Sequence, residues 1–280
     1  MKINKLSNDA FDIIIVAGQS NASGNGLGQT NTPWAIDQRI MMLSDTFTSH
    51  VESTPYGDRI EIESSGECFL TLADERDNKG VKNSAFCLYF AKKYADDFLE
   101  KDRKVLLVQT AIGGTGFALK HWGAGDKLEK RAFDLVDTAL SMNDKNRVVA
   151  VLWHQGEHDI YENAHLDYNE KHDYYANKLE TLIFNFKNKY GEVPFISASF
   201  CKSWILEQNQ DSVNAVVDAY KTIYKKFRNT AHVYNTDDLK SNSQVVKGSS
   251  DKAHFCRQAC NVLAQRYYEK FVEIIKENKL

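Results

Sequence analysis

Four runs of apolar, often β-branched residues recur along the chain, and each is followed by polar or glycine-rich sequence. The runs are FDIIIVAG at 11–18, KVLLVQTAIGG at 104–114, RVVAVLWHQG at 147–156 and VPFISASF at 193–200. Unbroken apolar runs of this length are typical of strands that are buried on both faces of a sheet. The pattern therefore predicts four central strands.

Amphipathic segments with helical spacing separate or follow these runs. They cover residues 84–100, 127–142, 173–190, 211–227 and 256–277. Strands that alternate with helices are joined by right-handed crossovers into a mostly parallel sheet with helices on both faces. We therefore predict an α/β fold, a three-layer α/β/α sandwich with a mostly parallel central sheet.

Residues 29–83 fit neither pattern and contain two of the three prolines, Pro33 and Pro55. We expect this stretch to be irregular, as a surface insertion. No repeat, linker or low-complexity tract divides the sequence, and 280 residues lie near the upper limit for one hydrophobic core. A single domain over residues 1–280 is therefore expected.

Charge and composition narrow the range of partners. The 35 Lys and Arg residues nearly balance the 38 Asp and Glu residues, for a formal net charge of -3. We therefore expect no nucleic acid partner and no membrane partner, and small neutral or weakly charged ligands are favoured. No run approaches the roughly 20 apolar residues of a membrane span. The oligomeric state stays open.

Cysteine usage and the start of the sequence bear on the compartment. The five cysteines form no CxxC pair and are expected to be reduced and mostly buried. The first apolar run is too short for a signal peptide and lacks a small-residue cleavage site. A cytoplasmic location is expected, unless a native leader precedes this sequence.

Candidate chemistry follows the predicted strands directly. The motifs GQSN at 18–21, GGTG at 113–116 and HQGEHD at 154–159 each come at or just after the end of an apolar run. In open parallel sheets, ligands bind beyond the carboxyl ends of the strands. We therefore expect the three motifs to meet at one edge of the sheet.

The first loop admits three interpretations. A Walker phosphate loop fails, because Gly18 and Gly24 are one residue too far apart and Asn25 stands where Lys is needed. The dinucleotide fingerprint fails as well, because its third glycine comes one residue early. The third interpretation makes Ser20 a nucleophile at the end of a strand. The alternative is a turn serine that bonds its own backbone.

A serine nucleophile needs a base, and His254 is the candidate. Asp251 precedes His254 by three residues in a Gly/Ser-rich loop before the last helical segment. The carboxylate could hold the imidazole Nδ1, so that Nε2 takes the serine proton. The alternative is an N-cap Asp beside a surface His.

Four blocks of the sequence, taken together, resemble those of a known family. GQSN, AIGGTGFALKHW, LWHQGEHD and DKAH, in this order between residues 18 and 254, resemble the blocks of the SGNH hydrolase superfamily. The branch they resemble is the sialate O-acetylesterase and carbohydrate acetylesterase (acetylxylan esterase-like) branch. The resemblance implies a flavodoxin-like SGNH fold. It also implies a serine esterase that removes O-acetyl groups from sialic acid or an acetylated poly- or oligosaccharide through an acetyl-enzyme, with no cofactor.

The resemblance also assigns roles to residues. It implies Ser20 as nucleophile with Asp251 and His254, and an oxyanion hole made by the N–H groups of Ser20 and Gly114 and by the Gln155 side chain. Further residues expected to support the site or bind substrate are Gln19, Asn21, Gly113, Glu157 and Trp122. Trp122 could wall the pocket against a sugar ring, or it could belong to the core or the rim.

The sequence departs from the family pattern at two positions. Ala22 stands where Met usually follows GQSN, and His158 stands where a small residue usually follows QGE. An imidazole at that place could narrow or recharge the pocket. The substrate is therefore less well indicated than the mechanism.

The block HQGEHD also spells H-x-x-E-H, an inverted zinc-protease signature. Zinc ligation at this spacing requires a helix that puts both imidazoles on one face, whereas a β-rich run and Gly156 favour a turn. No metal is therefore predicted. We expect His154 to be a packed imidazole at the end of a strand, His158 to face solvent, and Glu157 to bond backbone or the nearby loops.

Two other functions remain open at this point. One is a non-catalytic carbohydrate-binding protein on the same scaffold. The other is a lipase or thioesterase of the same superfamily, although the sequence shows no obvious apolar lid.

Overall fold

The computed structural model describes residues 1–3, 7–54, 57–162 and 165–278, which form alternating strands and helices. The strands are β1 (Lys2–Ile3), β2 (Ala10–Gly18), β3 (Ile40–Thr54), β4 (Gly57–Leu72), β5 (Arg76–Asn78), β6 (Val81–Asn83), β7 (Arg103–Gln109), β8 (Arg147–His154), β9 (Phe195–Ala198) and β10 (Thr230–Val233). The helices are α1 (Ser20–Ser23), α2 (Phe86–Asp97), α3 (Lys127–Ser141), α4 (Glu157–Glu162), α5 (Tyr168–Tyr190), α6 (Lys202–Ile205), α7 (Gln210–Tyr224) and α8 (Arg257–Asn278).

The main sheet has eight strands in the order β1-β4-β3-β7-β2-β8-β9-β10. Its neighbouring strands pair in parallel except for β3 and β4, which are antiparallel. Strand β2 lies in the centre, between β7 and β8. The prediction of a mostly parallel α/β sheet is therefore confirmed.

Side chains of β2 alternate between two apolar cores, one on each face of the sheet. Ile13 and Ile15 belong to the core that contains residues of α3, α5 and α7. Ile14 and Val16 belong to the core that contains residues of α2 and α8. This is the two-residue period of a strand, and burial on both faces explains why β2 is an unbroken apolar run. The three layers are those that the sequence pattern predicts.

The expectation of an irregular stretch at 29–83 is wrong. It contains the long antiparallel hairpin of β3 and β4, and β3 joins the sheet by pairing in parallel with β7. A second, two-stranded sheet is formed by β5 and β6. The outer part of β3, residues 46–51, is exposed. Because a strand with exposed faces carries many polar residues, it shows no continuous apolar run.

Helix α5 begins at Tyr168, five residues before the predicted start at 173. Its start is fixed by a capping box, in which the Asp167 side chain accepts from Glu170 N at 2.9 Å and Glu170 Oε2 accepts from Asp167 N at 3.1 Å. The D-x-x-E signal was present in the sequence. Within the described ranges, no helix is both long enough and apolar enough to cross a bilayer.

The carboxyl ends of β2 and β8 meet closely at Gly18, which pairs with His154. Gly18 has a φ of +119°, and a Cβ atom there would lie 2.1 Å from the carbonyl oxygen of His154. Only glycine combines this conformation with such a close approach. The GQSN motif therefore leaves the sheet directly beside the HQGEHD motif.

Candidate active site

Ser20 is the first residue of the single helical turn α1, which follows β2 after one residue. The Ser20 carbonyl oxygen accepts from Ser23 Oγ at 3.0 Å and from Asn25 Nδ2 at 2.8 Å, in addition to Gly24 N at 3.1 Å. These three donors fix the backbone of the candidate nucleophile. Because Ser20 begins the turn, its own N–H has no partner within the helix and points outward from it.

Asn21 joins the Ser20 loop to the loop of the candidate base. Its Nδ2 donates to the carbonyl oxygen of Ala253 at 3.0 Å, and its Oδ1 accepts from Phe255 N at 3.1 Å. These two contacts bind the residues on either side of His254. The structure therefore brings Ser20 and His254 to the same edge of the sheet, although they are far apart in sequence.

Asp251 holds His254 at two points. Its Oδ2 lies 2.8 Å from His254 Nδ1, and its Oδ1 accepts from His254 N at 3.2 Å. Burial by itself would raise the pKa of Asp251, but hydrogen bonds from His254 and Asn242 outweigh it and lower the pKa. An ionised carboxylate only accepts, so the proton lies on Nδ1 and the other ring nitrogen, Nε2, is the one that can accept.

Asn242 is a supporting residue that the sequence did not reveal. It is fully buried, and its Nδ2 donates to Asp251 Oδ2 at 2.8 Å, while its Oδ1 accepts from Leu27 N at 2.8 Å. It therefore ties Asp251 to the segment that follows the Ser20 turn. Helix α8 begins at Arg257, so Asp251 is not its N-cap, and that alternative is wrong.

The glycines of the second block pass beside the candidate nucleophile. A Cβ atom on Gly113 would lie 3.3 Å from Ser20 Cβ, and Gly114 has a φ of +71°. A Cβ atom on Gly114 would lie 2.6 Å from Ile60 Cδ1, so strand β4 packs against this loop. The backbone of this loop therefore passes close to Ser20, and the oxyanion role of the Gly114 N–H stays a prediction.

Gln155 is fully buried, and its amide faces protein acceptors. Its Nε2 donates to Asp159 Oδ2 at 2.6 Å and lies 3.3 Å from both Gln19 Oε1 and the carbonyl oxygen of Thr115. Its Oε1 accepts from Tyr175 Oη at 3.0 Å. An oxyanion donor has to offer an N–H to the substrate. The donor role of Gln155 stays a prediction, and these contacts favour a role in positioning the loops.

Asp159 lies behind the site and was not singled out from the sequence. It is fully buried and accepts from Phe117 N at 3.0 Å and from Ala118 N at 2.7 Å, in addition to Gln155. Burial raises the pKa of Asp159 to about 6 and outweighs these N–H donors. Burial also lowers the pKa of the nearby Lys171 to about 8. Because Asp159 belongs to helix α4 and accepts from Phe117 N and Ala118 N, it links that helix to the loop that follows the glycines.

We expect Asp159→Asn to lower kcat by about 10-fold and to remove about 1 to 3 kcal/mol of stability. An amide cannot accept at both positions, so its NH₂ group would face either Ala118 N or the N–H groups of Phe117 and Gln155. Kinetics and chemical denaturation measure the two effects. An unchanged kcat would show that this carboxylate does not position the site.

The raised pKa of Asp159 also predicts a pH dependence of stability. Between about pH 4, where an unfolded Asp ionises, and about pH 6, the unfolded chain has lost a proton that folded Asp159 retains. Stability should therefore fall as pH rises through this window, by about 3 kcal/mol from this group. Denaturation across the window should show a smaller slope in Asp159→Asn, and an identical slope would contradict the assignment.

Glu157 begins helix α4 and is buried. Its Oε1 accepts from Asn21 Nδ2 at 2.7 Å and lies 3.6 Å from His154 Nε2. Burial by itself raises the pKa of Glu157, but the contacts with His154 and Asn21 outweigh it and lower the pKa. Glu157 therefore holds the Asn21 side chain that binds both sides of His254.

The helix required by the zinc interpretation is absent at His154 and His158. Strand β8 ends at His154, helix α4 begins at Glu157, and Gly156 between them has a φ of +141°. The two imidazoles therefore do not share a helix face. Across the described part of the chain, no three His, Cys, Asp or Glu side chains cluster in a way that could hold a metal ion.

His158 lies closer to the core than the sequence suggested. Its side chain is 17% exposed, and its ring centre is 6.3 Å from that of His121. Burial is the main cause that lowers the pKa of His158 to about 4, and the proximity of His121 adds to the effect. His158 is therefore neutral at physiological pH, and the expectation that it faces solvent is wrong.

Activity should be unchanged after prolonged dialysis against a zinc chelator, because the proposed nucleophile and base work without a metal. Hydrolysis of p-nitrophenyl acetate before and after dialysis measures this. Loss of activity that added zinc restores would revive the zinc interpretation.

Two other predicted residues are internal. Trp122 is fully buried, donates from Nε1 to Thr115 Oγ1 at 3.1 Å and packs edge-to-face on Trp153. It lies in the core and does not wall a sugar pocket. Gln19 is buried, and its Oε1 accepts from His158 N at 3.2 Å. Gln19 therefore connects the Ser20 loop to helix α4.

Comparison with known proteins identifies the family of this chain. A family model described as "Carbohydrate esterase, sialic acid-specific acetylesterase" matches residues 10–273. The resemblance that the four sequence blocks indicate is thereby confirmed. The search of curated proteins finds no match.

The solved structures similar to this chain include two that cover nearly all of it. The crystal structure of NanS has a TM-score of 0.69 at 18% sequence identity, over 98% of this chain and 100% of that chain. The X-ray structure of a protein from Arabidopsis thaliana has a TM-score of 0.65 at 19% identity, over 95% of this chain and 98% of that chain. At such low identities these likenesses show a shared fold and no more.

Proposed function

Because this chain belongs to the sialic acid-specific acetylesterase family of carbohydrate esterases, we propose that it removes O-acetyl groups from sialic acids by acyl transfer through Ser20. The main observation that supports the serine mechanism is the position of His254. Asn21, the residue after the nucleophile, binds the residues on both sides of His254, while Asp251 holds His254 Nδ1.

The first half of the reaction forms an acetyl-enzyme. Ser20 Oγ attacks the carbonyl carbon of the acetyl ester, and His254 Nε2 takes the hydroxyl proton. Asp251 stabilises the resulting imidazolium through the bond at Nδ1. The N–H groups of Ser20 and Gly114 stabilise the negative charge on the carbonyl oxygen. The tetrahedral intermediate then expels the sugar alkoxide, which receives its proton from His254.

The second half releases acetate. His254, again neutral, takes a proton from a water molecule, and this water attacks the acetyl carbon on Ser20 Oγ. The second tetrahedral intermediate expels Ser20, which recovers its proton from His254. The products are acetic acid, which ionises at neutral pH, and the sugar with a restored hydroxyl group. The enzyme returns to its starting state.

An O-acetylated sialic acid is the direct test of this proposal. We expect one acetate to be released for each O-acetyl group lost, and mass spectrometry of a rapidly acid-quenched reaction should find the acetyl group on Ser20. A series of p-nitrophenyl acetyl, butyryl and octanoyl esters should show a preference for acetyl. Preference for octanoyl would favour a lipase or thioesterase, and glycan binding without hydrolysis would favour a carbohydrate-binding protein.

A further inference from the structure

A cavity of about 310 Å³ lies beside the candidate nucleophile. Gly113, which packs against Ser20, lines one side, and the β5–β6 hairpin lines another. We call this space the hairpin cavity. Its volume is at the lower end of the range of small-molecule sites, about 300 to 1,000 Å³. It therefore has room for part of a substrate whose ester carbonyl lies at Ser20.

The hairpin contributes two polar side chains to this cavity, Arg76 and Asn83. These residues are direct partners across the β5–β6 pair. Side chains of directly opposed residues leave the same face of a two-stranded sheet. A cation and an amide are thus presented together toward one space.

Arg76 is held in place from the nucleophile loop. Its Nη2 donates to Asn25 Oδ1 at 2.7 Å, and Asn25 Nδ2 donates to the Ser20 carbonyl oxygen at 2.8 Å. The position of the guanidinium is therefore coupled to that of Ser20. A guanidinium has five N–H donors in a planar fork that matches a carboxylate, and the contact with Asn25 occupies one nitrogen.

Asn83 offers an acceptor that the protein leaves unsatisfied. It is 7% exposed, and its Oδ1 has no hydrogen-bond partner within the described residues. A buried acceptor without a donor is costly and calls for an explanation. A hydroxyl or amide N–H of a ligand would supply the missing donor.

One carboxylate also lines the cavity, and its charge is compensated. Lys82 Nζ lies 3.0 Å from Asp74 Oδ2, and Asp74 Oδ1 accepts from Glu75 N at 2.7 Å. With Asp74 paired to Lys82, the positive charge of Arg76 dominates this part of the cavity. The cavity therefore favours an anionic ligand group over a cationic one.

We propose that Arg76 and Asn83 form a subsite that binds the carboxylate of an acidic sugar and one of its hydroxyl or amide N–H groups. The subsite makes the enzyme select acidic over neutral acetylated sugars. This inference rests on the proposed function, because it places the ester of the same substrate at Ser20. Arg76 determines specificity and takes no part in proton transfer.

The test compares an O-acetylated sialic acid with its methyl ester, in which the carboxylate is masked. Wild-type enzyme should prefer the acid, and Arg76→Gln should lower the ratio of the two kcat/KM values on the order of 10- to 100-fold, as expected for a charged hydrogen bond. Arg76→Lys keeps the positive charge but loses the planar guanidinium fork. Its ratio of kcat/KM values for the acid and the methyl ester should therefore lie between those of the wild type and Arg76→Gln. Lys79→Gln, which removes a charge at the turn of the same hairpin, should retain the wild-type ratio.

Binding of unacetylated sialic acid, measured by calorimetry, separates this inference from the proposed function. Its Kd should rise on the order of 10- to 100-fold in Arg76→Gln. If the wild type fails to hydrolyse the ester but binds the acid through Arg76, the proposed function is wrong and the subsite stands. If Arg76→Gln changes neither the ratio nor the Kd while hydrolysis continues, the subsite is overturned.

Discussion

Replacement of Ser20 by alanine should lower kcat for acetyl ester hydrolysis on the order of 10⁴- to 10⁶-fold, with little effect on folding. The variant loses the oxygen atom that would form the proposed acetyl-enzyme, so only substrate binding and the proposed backbone N–H donors would remain. Because the Ser20 backbone is fixed by three donors to its carbonyl oxygen, alanine should keep the turn intact. Steady-state kinetics with p-nitrophenyl acetate and a thermal melt measure the two quantities.

Covalent labelling sharpens the Ser20 prediction. A serine-directed phosphonate should add once to the wild type, at Ser20, and abolish activity. The control Ser65→Ala removes an exposed serine of strand β4 and should be labelled and inhibited like the wild type. Stoichiometric inactivation with the label on another residue would refute the assignment of the nucleophile.

The second large effect is expected at the Asp251–His254 pair. His254→Ala removes the proton acceptor and should lower kcat by about 10⁴-fold. Asp251→Asn keeps the shape, but its NH₂ group favours the wrong imidazole tautomer, and a loss of up to about 10⁴-fold is expected. Stopped-flow or steady-state hydrolysis assays measure both, and normal turnover in Asp251→Asn would remove Asp251 from the mechanism.

The pH profile separates the two members of this pair. Activity should rise from acid toward neutral pH, because only a neutral His254 accepts the Ser20 proton. The pKa of Asp251 is lowered, so its stabilising interactions are present above the pKa of an unfolded Asp, about 4, and are lost as pH falls through the lower folded value. Asp251 therefore stays ionised into the acid range. An activity profile that is flat from acid to neutral pH would contradict the role of His254 as the base.

Local sequence was sufficient to predict strands that are buried on both faces and contacts between residues that are close in sequence. Strand β2 is apolar throughout because both of its faces are covered, and this makes it visible as a run. The Asp251–His254 contact spans three residues, so its geometry follows from one loop. The early start of helix α5 was missed although its capping box is equally local.

Other features depend on contacts that no local pattern records. Strand β3 carries polar residues on its exposed outer part, so its pairing with β7 leaves no apolar run. Asn242 meets Leu27 across 215 positions, and nothing in the sequence around it indicates a catalytic support. Gln155 lies in the predicted motif HQGEHD, but its amide contacts Thr115 and Tyr175, which are 40 and 20 positions away in the sequence. Tertiary packing decided each of these cases.

The contacts of Asn21 with Ala253 and Phe255 determine how much of the chain must be synthesised before the site can assemble. A ribosome finishes the nucleophile loop, the paired glycines and Gln155 long before it adds the loop that contains His254. A nascent chain that ends before Asp251 therefore holds the proposed nucleophile without the proposed base. Because contacts at such sequence separation form only after the intervening chain is present, hydrolytic competence should arise late in synthesis.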